Sequence, residues 1–337
     1  LVSAIIPARN EEASIERVVE SVALQAEVGE VIVVDDQSTD RTAEILKELA
    51  GWIPKLKILR TGELPAGWVG KNHAAATGAA VAKGDWLLFT DADTYHFMGS
   101  TRRALADAVV RDAVLVSYSP EQQMETFWER ALIPFVYCRL AANFSYANVN
   151  DPRNPAAAAN GQYILILRDV YNAVGGHGAV AGDVLEDVAL ARRVKGAGYG
   201  IYFTAPIGVV STRMYRTFGA MWEGWTKNLY PLLGGKPRFL ILELLRATPL
   251  VLILTIPAFY WAAHRSWRLA AIYTVVAVAG AHGRYALDLY KNLFPVSLIK
   301  YYVLGVCLYA AALIDSWWKN TRGSVVWKGR AYPARTQ

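Results

Sequence analysis

The sequence predicts an α/β fold: a mostly parallel sheet with helices on both faces, followed by apolar C-terminal helices. Three observations carry this. Short apolar runs at 2–6, 31–34, 56–59 and 86–89 alternate with helical patterns, as in parallel sheets covered on both faces. Acidic residues gather just after these runs, where open α/β sheets hold their ligands. Hydrophobic residues, 54% of the 337, crowd into the later part of the chain, which fits neither a wholly soluble enzyme nor a pure membrane bundle.

The first run is closed by Pro7. Residues 11–25 carry Ile15, Val18, Val19 and Val22 at helical spacing, with acids in the first turn. The β-branched run 31–34 ends at Asp35-Asp36, and Ser38, Thr39 and Asp40 offer N-caps for a helix through Ala43, Ile45, Leu46 and Leu49. A third strand follows at 56–59, a small-residue helix at 74–81, and a fourth strand at 86–89, ending at Asp91-Ala92-Asp93. Further on, 114–117 and 163–167 read as strands. Residues 186–195 read as a helix with Val188, Leu190, Ala191 and Val194 on its apolar side. The aromatic stretch 127–147, which contains Pro134, is either a buried helix or one lying on a membrane surface.

Residues 239–262 are long enough to span a bilayer, 269–283 need a tilt or their flanking residues, and 301–318 end in Trp317-Trp318, suited to an aromatic belt. Trp222, Trp225 and Lys227 suit an interfacial helix near 215–233. The expected organisation is a globular domain at 1–235, a transmembrane region at 236–318 and a basic tail at 319–337. That tail predicts a cytoplasmic C-terminus, whereas three spans after a cytoplasmic domain would put it outside. The net charge of +6 comes from scattered basic residues without aromatic interleaving, which speaks for lipid headgroups and against nucleic acid. Cys138 and Cys307 stand far apart in apolar settings and give neither a disulfide framework nor a zinc pattern. Leu1 leads almost directly into the first strand, so upstream residues are expected to be missing or processed.

Acids follow three strands: Glu11-Glu12, Asp35-Asp36, and Asp91 with Asp93. Two carboxylates one residue apart form a hard-oxygen site for a divalent cation carrying a phosphate; the alternative is a turn with solvated acids. The first strand is followed by Pro7-Ala8-Arg9-Asn10-Glu11, not Gly-x-Gly-x-x-Gly, which argues against dinucleotide binding. A P-loop is also missing from the sequence. Glu186-Asp187 at a helix start are either acids complementing the dipole or the base that deprotonates an alcohol.

Pro7-Ala8-Arg9-Asn10-Glu11-Glu12, Val33-Val34-Asp35-Asp36-Gln37-Ser38-Thr39-Asp40, Asp91-Ala92-Asp93 and Glu186-Asp187 occur in the order and rough spacing of family-2 glycosyltransferases. The chain resembles that family over residues 1–235. Gly67-Trp68-Val69-Gly70-Lys71-Asn72 and Asn160-Gly161-Gln162 resemble its hopanoid-associated and carotenoid branch. The resemblance implies the GT-A (nucleotide-diphospho-sugar transferase) fold and a Mg2+ or Mn2+ cofactor. Pro7, Arg9 and Glu11 would border the nucleoside pocket, Asp36 would contact the uracil of a UDP-sugar, and Lys71 would lie near the nucleotide. Asp91 would approach the ribose or the metal, Asp93 would bind the metal, and Asp187 would be the general base with Glu186 beside it. Asn160, Gly161, Gln162 and His177 would lie near the sugar or acceptor, although His177 also reads as a plain loop histidine.

The Gln-x-x-Arg-Trp sequence of the family's polysaccharide synthases is missing; the region reads Ser211-Thr212-Arg213-Met214-Tyr215-Arg216. Arg213 or Arg216 would hold the diphosphate, or else anchor the chain beside the membrane. The expected function is a multi-pass inner-membrane enzyme with a cytoplasmic catalytic domain. It would move one sugar from a nucleotide-sugar donor to a lipid acceptor, with inversion. The alternatives are polyprenyl-phosphate glycosyl transfer, polysaccharide synthesis, and a non-catalytic sugar-nucleotide scaffold or sensor.

Overall fold

The computed structural model describes residues 1–247, 257, 261, 265–322, 325–327 and 330–332. The chain divides into two compact units, one of Leu1–Gln123 with Phe144–Met214, the other of Met124–Asn143 with Tyr215–Gln337.

The first unit is built on ten strands: β1 (Val2–Ala8), β2 (Val28–Asp35), β3 (Leu56–Arg60), β4 (Trp86–Phe89), β5 (Thr94–His96), β6 (Leu115–Tyr118), β7 (Glu121–Gln122), β8 (Ile164–Leu167), β9 (Ile201–Thr204) and β10 (Val210–Thr212). Seven form one sheet in the order β3-β2-β1-β4-β8-β6-β9, and β5-β10-β7 form a second, small one. In the large sheet β1 pairs in parallel with β2 and β4, β2 with β3, and β6 with β9, while β8 runs antiparallel to both of its neighbours. The mostly parallel expectation therefore holds, with one reversed strand that hydrophobicity alone does not reveal.

Alternation along the strands builds two cores. Ala4, Ile6, Val31 and Val33 face one side, where they meet Val18, Val22, Leu46 and Leu49 from the helices Ile15–Ala23 and Thr42–Ala50. Ile5, Ile32 and Val34 face the other, against Ala74, Ala75, Leu190 and Val194 from Gly70–Val81 and Glu186–Gly196. The Gly70–Val81 helix lies very close to the sheet. A Cβ on Gly78 would come within 2.6 Å of Ile5 Cγ2, so a side chain there would lift the helix and everything it carries.

Strand direction decides what collects at one sheet edge. The C-terminal ends of β1, β2 and β4 bring Pro7, Asp36 and Asp91 to it. Because β8 is reversed, with Ile164 paired to Phe89, its N-terminal end lies there too. Asn160, Gly161 and Gln162 are thereby delivered beside Asp91.

The second unit is helical, with Phe127–Asn143, Phe218–Leu232, Pro237–Ala247, Trp267–Lys291 and Tyr302–Arg322. Phe135 packs against the rings of Tyr285, Tyr302 and Tyr309. Arg139 makes a two-pronged ion pair with buried Glu243, as burial of a carboxylate demands. Trp225 is turned inward against Tyr137 and Tyr215, and Trp222 Nε1 donates to Asp315.

Among the described residues one helical run, the 27 residues Val296–Arg322, is long and apolar enough to cross a bilayer. It contains the last of the three expected spans, 301–318. The 269–283 segment lies in Trp267–Lys291, but Arg284, Asp288 and Lys291 close its apolar stretch. Its fifteen residues reach roughly 22 Å at ~1.5 Å each, short of a ~30 Å hydrocarbon core. Most of 239–262 after Ala247, and much of the basic tail, lie outside the described residues.

Candidate active site

The loops after β1 and β2 are laced together. Arg9 Nη1 donates to the Asp36 carbonyl at 2.7 Å, and Asp36 N donates to the Ala8 carbonyl at 2.7 Å. The buried Asp36 carboxylate accepts a 2.8 Å bond from Thr61 Oγ1. Glu11 N donates to Thr42 Oγ1, and Ser14 Oγ donates to the Glu11 carboxylate. Asn10 and Gln37 both hold positive φ, 53° and 58°, a region L-residues rarely adopt. Asn10 Oδ1 accepts from Thr39 N at 2.8 Å, which helps hold its turn. Pro7, Arg9, Glu11 and Asp36 are thus collected at the ends of two neighbouring strands.

The centre of the cleft is ionic. Lys71, in the first turn of Gly70–Val81, places Nζ 2.7 Å from Asp91 Oδ1 and 2.8 Å from Glu186 Oε1. Burial would lower this ammonium, but Asp91 and Glu186 together hold it well above the usual lysine range. Burial likewise opposes ionisation of Glu186, and Lys71 outweighs it, leaving that carboxyl below its usual value. Asp187 is the opposite case. Burial and the adjacent Glu186 charge raise it to about 6, against the smaller pull of Lys71 and of two backbone donors. Those donors are Gly161 N, 2.9 Å from Oδ2, and Val188 N, 2.7 Å from Oδ1. A carboxyl poised near neutrality suits proton transfer.

Gly161 is the floor of this cluster. A Cβ there would lie 2.9 Å from Lys71 Nζ, 3.2 Å from Glu186 Oε1 and 3.5 Å from Asp187 Oδ2. His177 lines the same cleft. It is buried in the turn Gly176–Val180, with Nδ1 at 3.0 Å from Tyr171 OH and its ring 4.6 Å from that of Phe89. Burial pushes it down to about 4, so it is neutral at physiological pH.

Behind the acids lies a buried polar scaffold that sequence reasoning missed. Thr94 Oγ1 donates to the Asp91 carbonyl at 2.8 Å, and Thr212 Oγ1 to the Asp93 carbonyl at 3.1 Å. Thr90 Oγ1 donates to the Gln162 carbonyl at 2.8 Å and also meets Nε2 of His96, which burial pushes down to about 3. Gln162 Nε2 reaches Thr212 Oγ1, and Asn160 Oδ1 accepts from Gln162 N. Asn72 was missed as well, although it stands inside a conspicuous motif. Fully buried, its Nδ2 faces the carbonyls of Val180, Ala181 and Asp183 at 2.9, 3.0 and 2.9 Å, tying the Lys71 helix to the segment that enters Glu186-Asp187. Of the two arginines, Arg213 follows β10, and Arg216 is exposed and belongs to the second unit.

Among the described residues no group of three or more acidic, histidine or cysteine side chains forms a metal cage. Mg2+ characteristically takes one or two carboxylates and fills its remaining positions with phosphate oxygens and water. Asp91 and Asp93 offer that donor set at a strand end, so they fit such an ion when it arrives with a diphosphate.

Residues 3–175 match the family model of Glycosyl transferase family 2. A 4,4'-diaponeurosporenoate glycosyltransferase of Staphylococcus haemolyticus (strain JCSC1435) is 29% identical over 231 residues, covering 68% of this chain and 60% of that protein. The chain thus spans less than two thirds of that relative's length. The protein of the same description from Staphylococcus aureus (strain USA300) is 27% identical over 338 residues, covering 97% of this chain and 87% of its own. Among solved structures, a mannosyltransferase PcManGT from Pyrobaculum calidifontis, in complex with GDP-Man and Mn2+, superposes with a TM-score of 0.57 at 21% identity, covering 95% of this chain and 86% of that one. That likeness is one of fold.

Proposed function

Since the chain belongs to glycosyl transferase family 2, we propose that it transfers one sugar from a UDP-sugar to a lipid acceptor at the cytoplasmic face of the membrane. Family membership and the GT-A fold support a glycosyltransferase that takes its sugar from a nucleotide-sugar donor and inverts the anomeric carbon. The catalytic part of the reading rests above all on one observation: Lys71 joins Asp91 to Glu186 in a single cleft, and Asp187 accepts from the backbone of Gly161, which lines it.

In this reading Pro7, Arg9, Glu11 and Asp36 seat the nucleoside, and Asp91, Asp93 and Lys71 face the diphosphate, with Arg213 as a further candidate for it. Mg2+ or Mn2+, when bound, supplies positive charge to the diphosphate. Asp187 accepts the proton of the acceptor hydroxyl. The freed oxygen bonds to the anomeric carbon, and the bond from that carbon to the diphosphate breaks, its electron pair leaving with the nucleotide. A single displacement inverts the carbon. Glu186, fixed by Lys71, stays ionised and keeps the Asp187 pKa high. Asn160, Gly161, Gln162 and His177 border the sugar or acceptor.

The lipid acceptor is supported by the apolar run Val296–Arg322 and by relatives named 4,4'-diaponeurosporenoate glycosyltransferase. The test supplies labelled UDP-sugar and membrane lipid to the full chain and extracts the product. A labelled glycolipid in the organic phase, lost with EDTA and with Asp93→Ala, is expected. A water-soluble polymer as main product would contradict the lipid reading, and full activity in EDTA would contradict the metal. Nucleotide binding without any transfer would leave a sensor or scaffold as the better account.

A further inference from the structure

Lys71 has carboxylate partners on two different elements, Asp91 after β4 and Glu186 at a helix start, at 2.7 and 2.8 Å. Asp91 stands at the strand end assigned above to the diphosphate and its cation. A monovalent cation of the protein's own therefore already neutralises an acid that a divalent cation would use. The position is also confined, since a Cβ on Gly161 would fall 2.9 Å from Nζ. Like charges a few ångströms apart in a partly buried cleft repel strongly. A cation that arrives alone thus meets a carboxylate already taken.

A nucleoside diphosphate alters this balance. Its oxygens offer the ammonium a new counter-charge and at the same time give a divalent cation the additional ligands it needs. The flexible four-carbon stem of lysine lets Nζ change partners while Gly78 keeps the helix seated on β1.

We propose that Lys71 is a built-in counter-cation that keeps Asp91 closed to divalent cations until a nucleoside diphosphate binds, so that nucleotide and cation enter together. This rests on the donor-site reading of the cleft. It makes Lys71 a determinant of binding order as well as a nucleotide contact.

The experiment titrates the full chain in detergent with Mn2+ and follows the free-ion electron paramagnetic resonance signal, with and without UDP, and with GDP in parallel. The wild-type chain is expected to bind Mn2+ at least tenfold more tightly with UDP present. Lys71→Met should raise affinity for Mn2+ alone at least tenfold and remove most of the UDP dependence, while Lys71→Arg should retain it. Where Lys71→Met does not fold, Lys71→Gln carries the same expectation. A Lys71→Met chain that binds Mn2+ alone no better than wild type overturns the proposal. So does a wild-type chain that binds Mn2+ equally with and without nucleotide. If calorimetry shows neither UDP nor GDP binding to the wild-type chain, the donor-site reading fails first, and this proposal with it.

Discussion

Asp187 shows how a reactive group can weaken the fold that holds it. Its carboxyl is raised to about 6, whereas an aspartate in an unfolded chain ionises near ~3.9. The sign follows from linkage: the group's contribution is fully present below the unfolded value and is lost as pH rises through about 6, so at neutral pH the ionised carboxylate destabilises. Asp187→Asn, neutral throughout, should melt at or above the wild-type temperature at neutral pH, and the difference should shrink on acidification. The same substitution should lower kcat about a hundredfold and leave UDP affinity nearly unchanged, while wild-type kcat/KM climbs through about pH 6. A variant that melts lower and loses binding together with turnover would make Glu186-Asp187 mere helix-start acids. An acceptor that is itself an ionised acid would show as a small loss of turnover in this variant. Gly161→Ala tests the neighbouring contact. Its methyl would press on Lys71 Nζ, the mobile end of a side chain, so we expect near-native melting with kcat reduced roughly tenfold by misplacement.

At the scale of elements, the decisive device is the attachment of the Gly70–Val81 helix to the segment before Glu186. Asn72 Nδ2 faces three backbone carbonyls in a fully buried position. Asn72→Ala should cost roughly 2–3 kcal/mol in urea unfolding, the penalty of leaving buried carbonyls without a donor. Asn72→Asp, similar in shape but presenting an acceptor to acceptors, should cost more than alanine; the reverse order would deny the clamp. This element also marks where the sequence is legible. The strands ending in Asp36 and Asp91 could be read because apolar runs closed by acids are local patterns. The reversal of β8 could not, since strand direction is fixed by pairing with Phe89 and Ser117 on distant segments. For the same reason Lys71, Gly161 and Asp187 were visible one by one, through motifs, but not their contact. The threonines beneath Asp91 and Asp93 carry no periodic signal and emerge only from three-dimensional neighbours.

For the whole molecule, the question is what the apolar C-terminal part is for. The sequence reads as three spans because composition registers apolar length but not which side chains turn inward, and among the described residues Val296–Arg322 meets the length and apolarity of a span. Along Val296–Arg322, 39% of the most apolar stretch is buried within the protein, by contacts such as Gly305 against the Ala131 carbonyl and Tyr309 against Glu243. Leu304 and Ile314 face outward, 38% and 48% exposed. Trp267–Lys291 likewise presents Ile272, Val275 and Val276 outward. If Val296–Arg322 lies in a bilayer, acids at its outward positions must be costly there and nearly harmless to internal packing. Leu304→Asp combined with Ile314→Asp should cost roughly 5–7 kcal/mol of membrane insertion, at ~2.5–3.5 each near a span's centre. The double variant should therefore leave the membrane pellet in alkaline carbonate, where the wild-type chain remains, while still binding UDP. It should also fail to glycosylate a membrane-embedded acceptor yet act on the same acceptor dissolved in detergent, since its catalytic residues are untouched. If the variant stays in the pellet and glycosylates membrane lipid as well as wild type does, then this helix neither anchors the enzyme nor brings it to a lipid substrate, and the lipid-acceptor reading loses its structural support.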